Sequence, residues 1–461
     1  MRKYLILFLV AAVALIAAQV VVGKKTETYY QALVDQVRDE GGELLSHHYD
    51  RGWFGAAAET RFQLPITRDL PASGPGVRHQ GFIVRSEISH GPVTSNGAGL
   101  AEITSKVQPL PDGLLPESYT VELHTFVTLN GKGDTKWILP PAADDQASSG
   151  VSVSFAGLDG ELQFDPAAKT AEWKLNSPGL RVTGKDQVTV RLGEISVRSN
   201  SWVGNSGLTL GSGRFGLDEF SVDNATTGWS LRAQGVTLDL DSSEQENRVS
   251  GATVYAIQRL ETQGVVYGPG SLRLELTNLS GSGLVRIQQA VHDLSGHPMS
   301  DAQRSMALTT LLMSVAPDIL AQDPGFAVKD LRVVTPDGLI EGGFSIRSLG
   351  LRWEQVSLGL KALRKLEGEL SFKMPESVFT SLLEALVAQR LVQERENGEE
   401  SSGNGLDSPE QWQALVKDES QETLARLLRQ QFLVRKSGNL VSNATLSNGE
   451  ITVNGRVFPL L

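Results

Sequence analysis

The 461-residue chain carries 42 basic against 53 acidic residues, a formal charge of −11 and a pI near 5.3. It lacks the clustered Lys and Arg that phosphate binding requires, which argues against a nucleic-acid partner. Cysteine is absent, so disulfides, thiolate metal sites and thiol nucleophiles are excluded and burial alone must hold the body together.

Met1-Arg2-Lys3 leads into a predominantly apolar run, Tyr4–Val22, that stops at Gly23-Lys24-Lys25. At ~1.5 Å per residue this run matches the ~30 Å hydrocarbon core of a bilayer. It is longer than the ~7–15 apolar residues of a signal-peptide core. Residues 1–25 are therefore expected to be an uncleaved transmembrane signal-anchor. The alternative is a cleaved signal, with Ile16-Ala17-Ala18 as its small-residue site. A short basic N-terminus before one apolar segment and a long polar remainder favours the tail inside and the body outside.

Thr26–His48 is polar, with apolar residues at Tyr29, Leu33, Val37, Leu44 and Leu45, and is expected to be a helical stalk over 26–48. From Tyr49 the period changes to two: Ala56, Ala58, Thr60, Phe62 and Leu64 alternate with more polar neighbours. Alternating runs recur through Tyr119–Leu129, Val151–Phe155, Gly160–Phe164, Ala171–Leu175, Val188–Val197, Leu208–Phe215, Trp229–Leu240, Gly251–Ile257 and Leu272–Leu279, separated by turn residues. The body over 49–298 is expected to be a large curved antiparallel sheet or meander.

The first clear helix after the stalk is expected from Ser300, where Ser300 and Gln303 are spaced for a capping box, and to stop before Pro317. Strands follow at Ala327–Val334, Leu339–Ile346 and Leu366–Phe372. Two further helices are expected, one from Pro375 to about Gln393 and one from Ser408 to Phe432. The acidic stretch 394–405 between them is expected to be a flexible loop. The C-terminal region, 299–461, thus reads as α+β, with helices packed on a sheet. The fold class as a whole is mainly β (β-rich α+β).

No reaction centre emerges. There is no Gly-x-Ser-x-Gly elbow, no phosphate-binding Gly-x-x-x-x-Gly-Lys and no zinc-helix histidine pair. Gly211-Ser212-Gly213-Arg214-Phe215-Gly216 fits a dinucleotide fingerprint in letters only, since no helix follows it. His47, His48, His79 and His90 lie close in sequence, yet no carboxylate or Cys stands at ligand spacing, and they read as strand and turn residues. No cofactor, metal or catalytic residue is expected. Trp53-Phe54 is expected to fill the first layer of the sheet. The alternative is a contact with ligand or with the membrane interface.

Three local patterns, Tyr49-Asp50-Arg51-Gly52-Trp53-Phe54, Ile88-Ser89-His90-Gly91-Pro92 and Asn448-Gly449-Glu450-Ile451-Thr452-Val453-Asn454-Gly455, follow one another behind the N-terminal run. In this order they resemble the YdgA-like family of bacterial envelope proteins of unknown function. The resemblance implies a protein anchored in the inner membrane of a Gram-negative envelope with its body in the periplasm, and brings no catalytic residues with it. The architecture is also loosely similar to AsmA-like envelope proteins, which are associated with lipid movement between membranes.

The first functional reading is a non-enzymatic envelope protein that binds or conducts lipid acyl chains along an apolar sheet groove, with Trp53, Phe54 and His90 as candidate contact residues. The second is a structural or scaffolding module, working as a homodimer or with another envelope protein through its leucine-rich helices. The third is a hydrolase without a recognisable motif.

Overall fold

The computed structural model describes residues 24, 26–28, 30–31, 43–67, 77–110, 120–146, 151–184, 187–295, 300–356, 359–396 and 409–459. The expected anchor Tyr4–Val22 and residues 397–405 of the acidic loop lie outside them. Among the described residues no helix is long and apolar enough to cross a membrane. The protein is mainly β and antiparallel throughout its described pairings, with its long helices concentrated in the C-terminal part. It forms two compact units: residues up to 218 with 287–309, and residues 219–286 with 310–461.

In the first unit the strands are β1 (Glu43–Arg51), β2 (Gly55–Thr67), β3 (Val77–His90), the short hairpin β4 (Val93–Thr94) and β5 (Gly97–Ala98), β6 (Ala101–Pro109), β7 (Val121–Val127) and β8 (Gly133–Leu139). They continue with β9 (Ala142–Gln146), β10 (Val151–Phe155), β11 (Leu158–Asp165), β12 (Thr170–Ser177), β13 (Leu180–Thr183), β14 (Val188–Leu192), β15 (Ile195–Val203) and β16 (Thr209–Asn224). The main ladder runs β1-β2-β3-β6-β7-β8-β11-β12-β15-β16. A shorter one runs β9-β10-β13-β14. The single strand expected over Val188–Val197 is thus two, divided at Gly193-Glu194.

The stalk expectation is corrected at its C-terminal end. Lys24, Thr26–Thr28, Tyr30 and Gln31 are helical, but residues 43–48 belong to β1. The register slips between Leu44 and Ser46. This bulge puts one residue too many into the strand and hides its period of two from a sequence reading.

Because cross-strand partners share a face, the register identifies the apolar side of this ladder. Leu123, Trp137, Gly160, Leu175, Val197 and Phe215 stand in one row across six strands. The row behind the opposite face holds Lys136, Glu161, Lys174, Arg198 and Arg214. Two glycines make room for aromatic rings on the apolar side. A Cβ on Gly160 would fall 2.1 Å from the Trp137 ring, and one on Gly133 would fall 2.0 Å from Phe164. Each ring covers the backbone that its glycine leaves bare.

The second unit contains β17 (Trp229–Gln245), β18 (Arg248–Ile257), β19 (Arg259–Thr262), β20 (Val265–Tyr267), β21 (Gly270–Ser280), β22 (Gly325–Thr335), β23 (Gly338–Ser348), β24 (Leu366–Pro375), β25 (Val434–Lys436), β26 (Asn439–Ser447), β27 (Glu450–Val453) and β28 (Arg456–Pro459). Its ladder runs β17-β18-β21-β22-β23-β24-β26-β27-β28. The long helices are α1 (Gly281–Ser295), α2 (Asp301–Leu320), α3 (Glu376–Glu396) and α4 (Pro409–Arg429).

Helix α1 was not expected, because its opening Gly281-Ser282-Gly283 reads as a turn. Its first donors are satisfied from outside the helix: the Ser282 N–H donates to Asn247 Oδ1 at 3.0 Å and the Gly283 N–H to Ser280 Oγ at 3.2 Å. That capping replaces the sequence signal. The capping box at α2 forms as expected. The Gln303 N–H donates to Ser300 Oγ, and the Ser300 N–H to Gln303 Oε1. Pro317 does not end α2 but lies inside its last turns.

The tail closes through two tight turns in which Asn448-Gly449 and Asn454-Gly455 all have positive φ, as two-residue hairpins demand. Asn454 then holds the tail in place. Its Oδ1 accepts from the Asn443 N–H at 2.9 Å, and its Nδ2 donates to the Gln431 carbonyl at 2.8 Å.

Candidate functional site: an open apolar sheet face and a polar sheet tip

In the second unit, one face of the ladder is apolar across all its central strands. Leu240, Thr253, Leu274, Val328, Phe344, Leu370, Ala444 and Val453 form one row, and Leu276, Phe326, Ile346, Gly368, Leu446 and Ile451 the next. The reverse face is charged. Glu275 takes Arg273 and Lys329 at 2.6 Å each, Arg347 pairs with Glu367, and Lys373 meets Glu341 at 3.4 Å. The ammonium of Lys329, then the guanidinium of Arg273, hold the Glu275 carboxyl below the usual carboxylate range.

Helices α3 and α4 cover one end of the apolar face. There Leu424, Leu433 and Leu440 form a buried cluster with Phe372, Phe379, Leu383, Leu427 and Leu428 against it. Beyond this cap the face is open: Leu240, Leu276, Phe326, Phe344 and Leu370 keep 37–45% of their surface accessible. Isolated exposed leucines need no explanation, but five large apolar side chains on one face of a single ladder do. The reverse face also has a depression, lined by Asp330, Arg332, Glu341, Ser371 and Lys373. Its charged groups largely neutralise one another.

In the first unit, the described helical residues Thr26–Thr28, Tyr30 and Gln31 adjoin the face formed by β1, β2, β3 and β6. Tyr30 is buried with Ala58, Ile88, Ala101 and Ile103. Its ring stacks on His47 at 5.9 Å and lies 5.7 Å from Tyr49. Its hydroxyl meets Ser86 Oγ at 3.0 Å, and Ser86 meets Ser105 at 2.7 Å, a chain of hydroxyls across the sheet. Towards the strand ends, Arg51 Nη1 donates to Glu27 Oε2 at 3.2 Å, and Thr26 Oγ1 to the Leu100 carbonyl at 3.4 Å.

His90 is buried beside this pair, and neither of its ring nitrogens has a hydrogen-bond partner. Burial, and then the Arg51 guanidinium, keep its pKa below the ordinary imidazole value, while Glu27 pulls the other way. The Tyr49 hydroxyl, also without a partner, is pushed up to about 12 by burial and by Glu27.

The neutral His90 makes a pH dependence predictable. Its folded pKa is depressed, so the unfolded chain takes up a proton first as pH falls through ~6.5, and stability present above that value is lost below it. The slope attributable to one such group is at most about 1.4 kcal/mol per pH unit. Urea unfolding of the wild type and His90→Asn between pH 7.5 and 5.5 should show a steeper loss for the wild type. Parallel curves would mean that His90 is not held neutral.

The sequence-predicted site residues separate in the structure. Trp53 and Phe54 do not fill the first layer of the sheet; they are 69% and 72% exposed in the β1–β2 turn. The reason is local. The Gly52 N–H donates to the Gly55 carbonyl at 2.8 Å, closing a tight turn that leaves both rings outside the strands. His90 is at the same strand end but faces inward, its N–H donating to the Phe54 carbonyl at 2.9 Å. Of the other early histidines, His47 donates to or accepts from Thr60 Oγ1 at 2.9 Å, and His48 points to the opposite face. Among the described residues no group of three His, Asp or Glu side chains converges as a metal site would require. Sequence reasoning missed Tyr30, Glu27 and Arg51 as a cluster, because their meeting depends on where the leading helix docks.

The protein is thus of the class of amphipathic antiparallel-sheet proteins with a helix-capped apolar face. The chain belongs to a bacterial family of proteins of unknown function (DUF945), whose family model matches residues 1–460. No curated protein and no solved structure matches it.

Proposed function

We propose that this is a non-enzymatic, YdgA-like envelope protein, anchored in the inner membrane by Tyr4–Val22 with its body in the periplasm, and that it holds or passes lipid acyl chains along its apolar sheet face. The observation that carries the reading is the set Leu240, Leu276, Phe326, Phe344 and Leu370, drawn from two neighbouring rows and half-open on one face of the second unit. A methylene chain laid along such a row buries apolar surface at about 25 cal/mol per Å² on both partners. The described rows of this face carry no charged side chain, so acyl-chain recognition without strong head-group selection is the expected behaviour. In this reading the N-terminal run holds the protein at a bilayer, which is the source of such chains.

The test is native mass spectrometry with lipid extraction on protein purified from a Gram-negative periplasm without detergent. Phospholipid in stoichiometric amount is the expected result, with loss of that lipid in Leu240→Asp/Leu276→Asp, whose side chains are each 45% exposed. A lipid-free protein, above all one at twice the monomer mass, would leave a scaffolding module as the better account.

A further inference from the structure

We infer that the tip of the first unit carrying Trp53, Phe54 and Val93 is a bilayer-contact surface that seats in the lipid head-group region. Trp53 and Phe54 occupy the β1–β2 turn and Val93 the β4–β5 hairpin, at 69%, 72% and 73% exposure. The two turns adjoin: the His90 N–H donates to the Phe54 carbonyl, and Gly91-Pro92-Val93 continues from there. Three large apolar side chains exposed together on one strand end are costly in water and favourable at a membrane interface, where indole and phenyl rings concentrate.

A second, independent observation identifies the partner. Lys24 and Thr26–Thr28, the first described helical residues, lie at this tip, and Tyr30 and Gln31 lie farther from it along the sheet. The Leu100 carbonyl accepts from both the Gly91 N–H and Thr26 Oγ1, while Glu27 pairs with Arg51, the residue before the Gly52-Trp53-Phe54 turn. Tyr30, one helical turn later, lies deeper, against Ser86 and His47. The chain therefore arrives at the tip from Lys24, directly after the apolar run Tyr4–Val22. If that run crosses the bilayer, as the proposed function assumes, only a short connection separates the membrane from the exposed rings. Lys24, exposed at the same place, can reach lipid phosphates with its ammonium while its stem stays among apolar groups.

The test exploits the absence of cysteine, which makes any introduced thiol a unique labelling site. Full-length protein carrying Trp53→Cys, Phe54→Cys or Val93→Cys, labelled with an environment-sensitive nitrobenzoxadiazole dye, is reconstituted into vesicles of phosphatidylethanolamine and phosphatidylglycerol. Ile138→Cys is the control. Ile138 is 66% exposed and sits towards the far end of β8, whose Gly133 is paired with Val127 at the tip end. The expected result is blue-shifted emission at the three tip positions and several-fold stronger quenching there by lipids spin-labelled near the head group. Water-like emission at all three, in protein that floats with the vesicles, would overturn the inference and leave the anchor intact. Protein that fails to float would overturn both this inference and the anchored reading beneath it.

Discussion

Gly91→Ala is expected to cost about 3 kcal/mol or more and to release the strand end at which the leading helix docks, since overpacking against backbone commonly costs 1–3 kcal/mol and broken hydrogen bonds add ~1 kcal/mol each. A Cβ at this position would lie 1.6 Å from the Gly99 carbonyl oxygen and 3.2 Å from that of Leu100. These are backbone atoms of the short link between β5 and β6, which cannot swing aside as a long side chain can. The Gly91 N–H to Leu100 carbonyl bond at 2.8 Å and the Gly99 N–H to Pro92 carbonyl bond at 3.1 Å would separate together. Thr26 shares the Leu100 carbonyl, so the docking of the helix should weaken in the same variant. Urea unfolding with hydrogen exchange of residues 24–31 measures both effects. A stability within experimental error of wild type would contradict the close approach of the two backbones.

The second large effect is expected in the other unit. Leu440 has no accessible surface and lies at the centre of the cluster formed with Leu424, Leu433 and Phe372. Leu440→Ala should cost about 2–5 kcal/mol, the range for truncating a fully buried leucine. The loss should be local at first, because this cluster is what fastens α3 and α4 to the end of the apolar face. Faster hydrogen exchange across Glu376–Glu396 and Pro409–Arg429 is therefore expected. The Arg435–Glu376 ion pair at the start of α3 is exposed and cannot compensate, since such pairs contribute about 0–1 kcal/mol. Leu382→Ala, at a position 50% exposed, should cost under about 1 kcal/mol. Equal effects of the two substitutions would mean that the helices are not held through Leu440.

Much of the fold could be read from local patterns. The strands with regular alternation and the Ser300–Gln303 box need only neighbouring residues, and they form as expected. What could not be read depended on partners distant in sequence. The bulge at Leu44–Ser46 masks β1, and the caps supplied by Asn247 and Ser280 create α1 from a segment that looks like a turn. Trp53 and Phe54 illustrate the same limit for the site. Large aromatics beside a new strand normally enter the core, and only the Gly52–Gly55 turn, closing one step early, leaves them outside. Which residues of the second unit's apolar face stay open depends on how far α3 and α4 reach, and that is set by packing between segments distant in sequence.

The order of pairing also bears on how the molecule is made. In both ladders most strands bond to a neighbour in sequence, and the longest detours are helical pairs inserted between β21 and β22 or between β24 and β26. Short loops cost little entropy to close, and contacts between near neighbours form early. Each hairpin can therefore be added to finished structure as the polypeptide emerges from synthesis, without waiting for its C-terminus. A nascent chain stalled after β8 should already resist protease, and the apolar rows would be assembled one strand at a time, with fewer long-lived exposed intermediates than a sheet closed by its two ends.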